Sequence, residues 1–367
     1  MKFINNNKIF FRKMIEVISG SPLKRITKKY NSDYRTQSFY TDSHVYSMLF
    51  FNFKGLDGLH DLHAQVVNNT KLSSIINMPS ISQFSRKNKG RDYRVFEDLF
   101  YYLVGYAQRK FGKANILKDL PPLKIIDSTM ITLSLKLSKC LKYDNSKSAV
   151  KVSTLFNGEY PEKVHIVRGN TNDRKCIDNF FEDKDSIYVF DRGYYSYRFY
   201  DKLTEGKVKF ITRGIDNAIV MEEKLIKYYP DEEIYDTEVI LGSTPGGNLG
   251  FNKLREIMLF DEEDKPIYLV TNIFALDAKT IIQIYKRRWD IELFFKWIKQ
   301  NLRIKKCIGY NENSIKIQIY SALIVYLLIY ILSKTTSIKV SMLNLTRIIK
   351  VNLLEEYIHV ISYLQDG

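Results

Sequence analysis

Apolar residues recur at helical spacing through the first third of the chain and at strand-like spacing through the middle. Asp42 to Phe53 and Val95 to Gln108 place apolar side chains every third or fourth residue, which predicts two helices. Ser80 to Asn88 (SISQFSRKN) predicts a shorter, polar helix behind a serine cap, of the kind that reads DNA in a helix-turn-helix. Asp119, Leu120, Pro121 and Pro122 then break the pattern and mark a domain boundary.

Beyond the prolines the texture changes. LKIIDSTMITL from Leu123, AVKVSTLF from Ala149 and EKVHIVRG from Glu162 are β-rich runs, expected to form a three-stranded antiparallel meander. A helix is expected from about Asp173 to Phe181, a buried strand in SIYVFDRG from Ser186, a helix from about Tyr195 to Leu203, and a fifth strand in KFITRG from Lys209. Three strands, helix, strand, helix, strand is the order of a ribonuclease-H-like fold. EIYDTEVIL, KLREIMLF and PIYLVTNIF, around a Pro245-Gly246-Gly247 turn, predict an all-β insertion over 216–274. Further helices are expected at Tyr285 to Asn301, at the apolar run Ile319 to Leu332, and near Ser341 to Leu364.

The segment YKRRWDIELFFKWIKQN, read as one helix, raises a chemical question. Arg288, Glu292 and Lys299 follow Tyr285 at offsets of 3, 7 and 14 residues, which at about 100° per residue puts all four within an arc of roughly 60°. Leu293, Phe294, Trp297 and Ile298 fall on the other side, so one polar strip faces something other than the core.

Composition narrows what that can be. The 367 residues are 45% hydrophobic and 14% aromatic, enough for real cores. The first residues lack the uninterrupted apolar stretch of a secretory signal, and Ile319 to Leu332, at 14 residues, is short of a membrane span. Cys140, Cys176 and Cys307 are odd in number and far apart, which points away from a disulfide framework or zinc ribbon and fits a reducing cytoplasm. The net charge of +15 is unevenly spread: residues 1–120 carry 20 basic and 9 acidic side chains. A basic domain joined to a near-neutral remainder suggests a polyanion, most simply nucleic acid. The 216–274 stretch has more than twice as many acids as bases and is no general clamp for one. His60 and His63 lack a third ligand nearby and read as helix-surface residues, and His165 as structural.

Asp127 and Asp191 each end a buried strand, where a charge is costly unless paired or metal-bound. In a ribonuclease-H-like sheet the first and fourth strands are neighbours, so these carboxylates converge, and the later helix can bring Glu292 over them. Three carboxylates suit Mg²⁺ or Mn²⁺, and two such ions about 4 Å apart serve phosphodiester chemistry. Arg288 and Lys299 would then hold a phosphate backbone, with Tyr285 donating its hydroxyl.

Tyr285, Arg288, Glu292 and Lys299 at these spacings match the Tyr-Arg-Glu-Lys signature of bacterial insertion-sequence transposases of the IS-four family. Asp191-Arg192-Gly193-Tyr194 resembles the motif around that family's second aspartate, IIDST around Asp127 resembles the first, and Trp289 beside Arg288 agrees. The resemblance covers roughly residues 120 to 335; FFNFKGLDGLHDL looks, less specifically, like the helical DNA-binding portion of such proteins. It implies catalytic, metal-binding Asp127, Asp191 and Glu292, and DNA contacts from Tyr285, Arg288, Trp289, Lys299 and Arg192. The reaction implied is cutting at element ends and joining of the freed 3′-hydroxyls to target DNA, often through a hairpin. Some relatives stack a flipped base on a Trp of the β insertion; here both Trp lie in the quoted helix, leaving Phe251 or Tyr268 for that part.

The expected architecture is α/β. A helical, basic DNA-binding domain (1–118) precedes a ribonuclease-H-like catalytic core (119–215 and 275–335) with its β insertion (216–274), and a C-terminal helix (336–367) is a candidate dimer contact. The expected partners are DNA and a second copy in the end-paired complex, with no membrane and no small-molecule substrate; the expected place is the cytoplasm, at the nucleoid. A structure-specific nuclease without joining activity and a non-catalytic DNA-binding relative are the alternatives.

Overall fold

The computed structural model describes residues 8–133, 142–144, 147–172, 177–243, 248–301, 308–336 and 340–366. The three cysteines and the Pro245-Gly246-Gly247 turn lie outside them. The helices are α1 (Phe10–Ile15), α2 (Ser21–Lys29), α3 (Thr41–Lys54), α4 (Leu59–Val67), α5 (Thr70–Ser73), α6 (Ile81–Gly90), α7 (Arg94–Phe111), α8 (Tyr197–Glu205), α9 (Ala278–Lys286), α10 (Trp289–Asn301), α11 (Glu312–Thr336), α12 (Met342–Asn352) and α13 (Tyr357–Asp366). The strands are β1 (Leu123–Leu133), β2 (Lys142–Asp144), β3 (Lys147–Phe156), β4 (Pro161–Arg168), β5 (Ile187–Phe190), β6 (Lys209–Arg213), β7 (Val220–Tyr229), β8 (Ile234–Ser243), β9 (Asn248–Leu249), β10 (Leu254–Phe260) and β11 (Pro266–Thr271).

The chain forms two compact units. One comprises Met1–Gly112, Met130–Val150 and Phe294–Gly367; the other comprises Lys113–Thr129 and Lys151–Leu293. The first is built around α11, which packs against α3, α6, α7 and α12. Its apolar residues run all round the helix, so every face needs a neighbour. At 25 residues α11 is longer than the sequence run suggested, and by length and composition it could span a bilayer; 94% of its apolar window is instead buried inside the protein. Its few polar groups are satisfied locally: Ser314 donates to the Asn88 carbonyl (3.0 Å) and Tyr320 to Glu97 (2.5 Å). α3 ends on Gly55 at φ 62°, the left-handed closure that glycine accepts without strain. The polar helix expected after Ser80 is present as α6, with the serine hydroxyl accepting from Gln83 N–H (3.4 Å) and Phe84 and Asn88 turned inward. The single C-terminal helix expected near Ser341 to Leu364 is two, α12 and α13.

The sheet runs β2-β3-β1-β5-β6-β11-β10-β8-β7, with β4 beside β3 and β9 beside β8. β1 pairs parallel with β5, and β5 parallel with β6. The order β4-β3-β1-β5-β6 is ribonuclease-H-like, as the strand and helix sequence implied. β5 is buried at all four positions, as a strand covered on both faces must be. One face carries α8, whose Tyr200 stacks on Phe210 (5.3 Å), which in turn stacks on Phe190 (5.8 Å). Tyr188, Leu203, Val239 and Leu254 extend that core.

One expectation changes, and two features go beyond what the sequence conveyed. The segment over 216–274 consists of β7 to β11 with one 3-10 turn, and it extends the central sheet: β11 pairs antiparallel with β6, and β10, β8 and β7 follow. β7 was not legible, because its side chains are solvated on both faces and show no alternation. The helix expected at Asp173 to Phe181 is, in its described part, a single 3-10 turn at Asp178–Phe180.

Candidate active site

The register of β1 and β5 brings the two aspartates together. Ile125 pairs with Val189 and Ile126 with Phe190, so Asp127 and Asp191 each lie one residue beyond the paired stretch: Asp191 just past the carboxyl end of β5, and Asp127 within β1, which runs on to Leu133 and does not end at the aspartate as expected. Neighbouring strands run about 5 Å apart, which makes these the closest backbone positions the two residues can take. Carboxyl ends of parallel strands are where open α/β sheets place ligands.

Each aspartate accepts a hydrogen bond from a neighbouring backbone N–H. Ser128 N–H donates to Asp127 (2.7 Å) and Gly193 N–H to Asp191 (2.9 Å). A Cβ at position 193 would lie 2.9 Å from the Asp191 carboxylate oxygen, so a larger residue than Gly193 would force that carboxylate to shift. Thr212 on β6 fastens the same turn by donating to the Asp191 carbonyl (3.2 Å).

Glu292 comes from the first turn of α10. The residues that bring it there begin in the extended sheet. Arg255 on β10 makes a buried ion pair with Asp236 on β8 (2.6 Å). Its remaining N–H groups reach the carbonyls of Ile273 (3.1 Å) and Leu276, fixing the chain just before α9. Asp277 then caps α9 by accepting from Thr280 N–H (3.0 Å).

The continuous helix expected from Tyr285 to Asn301 is broken. α9 ends at Lys286 and α10 starts at Trp289. Through the junction the bonds tighten to i→i+3: Arg287 to Ile284, Arg288 to Tyr285, Asp290 to Arg287 and Ile291 to Arg288. Tyr285, Arg288, Glu292 and Lys299 therefore do not form one straight strip, and Leu293, expected inside, is 51% exposed. Phe294, Trp297 and Ile298 are buried as expected.

The break leaves Arg288 between two acids. Its guanidinium donates to Glu292 (2.6 Å) and lies 3.8 Å from Asp127. Burial pushes the Asp127 carboxyl up to about 7; the negative charges of Asp191 and Glu292 add to this, while the Ser128 N–H and Arg288 oppose it. Asp127 thus senses both other carboxylates. Tyr285 is largely buried, which raises its hydroxyl, and it lies near both Arg288 and Asp191.

The donor chemistry, carboxylate oxygens from Asp127, Asp191 and Glu292 that raise one another's proton affinity at Asp127, is the kind that suits a hard divalent cation. Among the described residues no three acidic, His or Cys side chains stand close enough to enclose an ion.

The other sequence-derived residues sit further out. Trp289 is 57% exposed at the start of α10. Arg192 is on the surface, 3.9 Å from the Asp216 carboxylate. Lys299 is half-buried in the last turn of α10, in the portion belonging to the helical unit. Tyr268 lies on β11, an interior strand of the sheet. Phe251 is 75% exposed, on a loop pinned by the buried Asp201 carboxylate, which accepts from the N–H groups of Phe251 (3.0 Å) and Asn252 (2.9 Å). His165 packs against the Phe180 ring (4.9 Å). The Arg255–Asp236 anchor escaped sequence reading because nothing local links residues 19 apart on two strands.

Residues 118–328, more than half of the chain, match the family model described as a transposase DDE domain. Residues 6–75 match one described only as a domain of unknown function. A putative transposase, y4zB, of Sinorhizobium fredii is 29% identical over 269 residues, covering 71% of this chain and 74% of that one. A putative transposase for insertion sequence element IS4SA of Synechocystis is 28% identical over 294 residues, covering 76% and 80%. A probable transposase for insertion sequence element IS5377 of Geobacillus stearothermophilus is 25% identical, covering 72% of each. A solved piggyBac transposase synaptic complex with hairpin DNA overlays at TM-score 0.48 and 10% identity, covering 98% of this chain and 85% of that one, a likeness too weak to argue from.

Proposed function

The chain belongs to the family of transposase DDE domains, and from that premise we propose that it cuts DNA at the ends of an insertion sequence and joins the freed 3′-hydroxyls to target DNA. The supporting observation is the β1–β5 register, which sets Asp127 beside Asp191, together with the raised Asp127 carboxyl that feels both Asp191 and Glu292. Asp127, Asp191 and Glu292 are the residues to hold Mg²⁺ or Mn²⁺. Such ions, when bound, supply activation of the attacking oxygen and stabilisation of the leaving one.

The chain's own residues do the positioning. The N–H groups of Ser128 and Gly193 hold the two carboxylates in place. Arg288 balances the acids until a phosphodiester arrives, then offers that phosphate its fork of donors. Tyr285 adds a hydroxyl, and Trp289, Lys299 and Arg192 complete the DNA contacts. The basic N-terminal region holds the element end, with α6 as the helix that reads it. Phe251, exposed on a rigid loop, is better placed than Tyr268 to stack an unpaired base. Joining two ends takes two copies, so the working form is a homodimer on paired ends, with the C-terminal helices as the contact, at the nucleoid.

Incubation with linear DNA bearing the element's own ends, Mg²⁺ and a plasmid tests this directly. Strand-transfer products are expected, and Asp127→Ala, Asp191→Ala and Glu292→Ala are each expected to abolish cleavage while end binding persists. Cutting without joining would make the protein a metal-dependent nuclease. Cleavage retained in any of the three variants would overturn the site assignment.

A further inference from the structure

Away from the carboxylates, the helical unit carries a groove of about 550 Å³ between α2 and α7, lined among others by Arg25, Lys29, Asp98, Tyr101, Tyr102 and Arg109. The charge in it is unbalanced. Asp98 is its only acid and is already engaged, accepting from Lys29 (2.6 Å) and from the Tyr30 hydroxyl (3.0 Å). Arg25 and Arg109 have no carboxylate partner among the described residues, and both are exposed. Arg109 folds back over Gly105 on its own helix: a Cβ there would come within 3.1 Å of its Nη1. The absence of a side chain at Gly105 leaves room for the guanidinium to lie along α7, at the groove.

Two unpaired guanidinium forks facing one groove from two helices are a poor arrangement for stability, because like charges repel and nothing internal offsets them. They are a good one for phosphate, which accepts paired N–H donors and tolerates neutral hydroxyls such as those of Tyr101 and Tyr102 alongside. A small apolar ligand finds little here. We propose that the α2–α7 groove is a docking site for the sugar-phosphate backbone of double-stranded DNA, with Arg25 and Arg109 each holding a phosphate. This deepens the reading of the N-terminal region as DNA-binding, and rests on it, by naming the two residues and the groove.

Fluorescence anisotropy of the full chain with a labelled duplex of about 30 base pairs, in EDTA to prevent cleavage, reads both affinity and its salt dependence. Each phosphate contact contributes about one unit to the slope of log affinity against log salt. The double variant Arg25→Gln/Arg109→Gln is expected to bind roughly tenfold more weakly and to lose about two units of that slope. The charge-preserving pair Arg25→Lys/Arg109→Lys should keep most of the slope. Lys118→Gln/Lys184→Gln, exposed on the other unit, should change neither quantity. An unaltered slope in the Arg→Gln pair, or an equal loss in the lysine control, would overturn the groove assignment. Displacement of DNA by a poly-glutamate peptide at equal concentration would reassign the groove to an acidic protein and overturn it too. Absence of DNA binding by the unmodified protein would overturn the broader reading itself, a result the variants cannot mimic.

Discussion

Among the described carboxylates, Asp127 is the one raised to about 7, and the sign of that shift can be followed through to stability. Its folded-state carboxyl titrates at about 7, whereas an aspartate in an unfolded chain titrates at about 4. Between those values the folded protein keeps a proton that the unfolded chain has released, so stability falls as pH rises through that window and stays reduced above it. Asp127→Asn has no proton to lose. Thermal melts in EDTA are expected to show the variant about 5 °C more stable than the parent at pH 8, with the gap closing by about pH 4. A variant less stable at pH 8 would mean that Arg288 outweighs burial. Gly193→Ala probes the neighbouring aspartate: its Cβ would crowd the Asp191 oxygen, so cleavage should fall at least about tenfold with little change in melting temperature. The two aspartates were legible in the sequence because buried apolar runs end on them. The bridging position of Arg288 was not, since it depends on a turn whose tightening leaves no Pro or Gly to announce it.

At the level of elements, the site depends on how α9 is launched. The Arg255–Asp236 pair is buried and ties two strands of the sheet to the segment before α9. Removing one partner strands the other charge in a low-dielectric interior, so Asp236→Ala should cost about 3–5 kcal/mol in denaturant unfolding and reduce cleavage through misplacement of Glu292. An apolar replacement of both, Arg255→Met/Asp236→Leu, should recover most of the stability. If it also recovered full cleavage, the hydrogen bonds to Ile273 and Leu276 would not be what positions α9. Strands with apolar runs were read nearly to the residue: β1 runs Leu123–Leu133, as expected. β7 was missed for the opposite reason, being an edge strand exposed on both faces. The single helix expected across Tyr285 to Asn301 failed because helical periodicity survives a local 3-10 tightening; three of the four apolar residues still turn inward although the axis is interrupted.

Across the whole molecule, charge and chemistry are separated. Positive charge gathers in residues 1–120, while the acids proposed to do chemistry, Asp127, Asp191 and Glu292, belong to the other unit. Binding and cutting should therefore come apart by mutation: charge removal in the helical unit should lower DNA affinity and its salt dependence, and carboxylate removal should lower neither. The sequence conveyed that separation through composition, yet not that the β-rich segment over 216–274 would join the central sheet, because pairing between β6 and β11 spans more than 50 residues. The measurement closest to the central claim is Mn²⁺ binding by calorimetry or EPR to the parent protein and to Asp127→Asn, Asp191→Asn and Glu292→Gln. Three carboxylates acting on one site should show saturable binding in the parent and at least about tenfold weaker binding in each variant. Parent-like affinity in any of the three, Glu292→Gln above all, would contradict it.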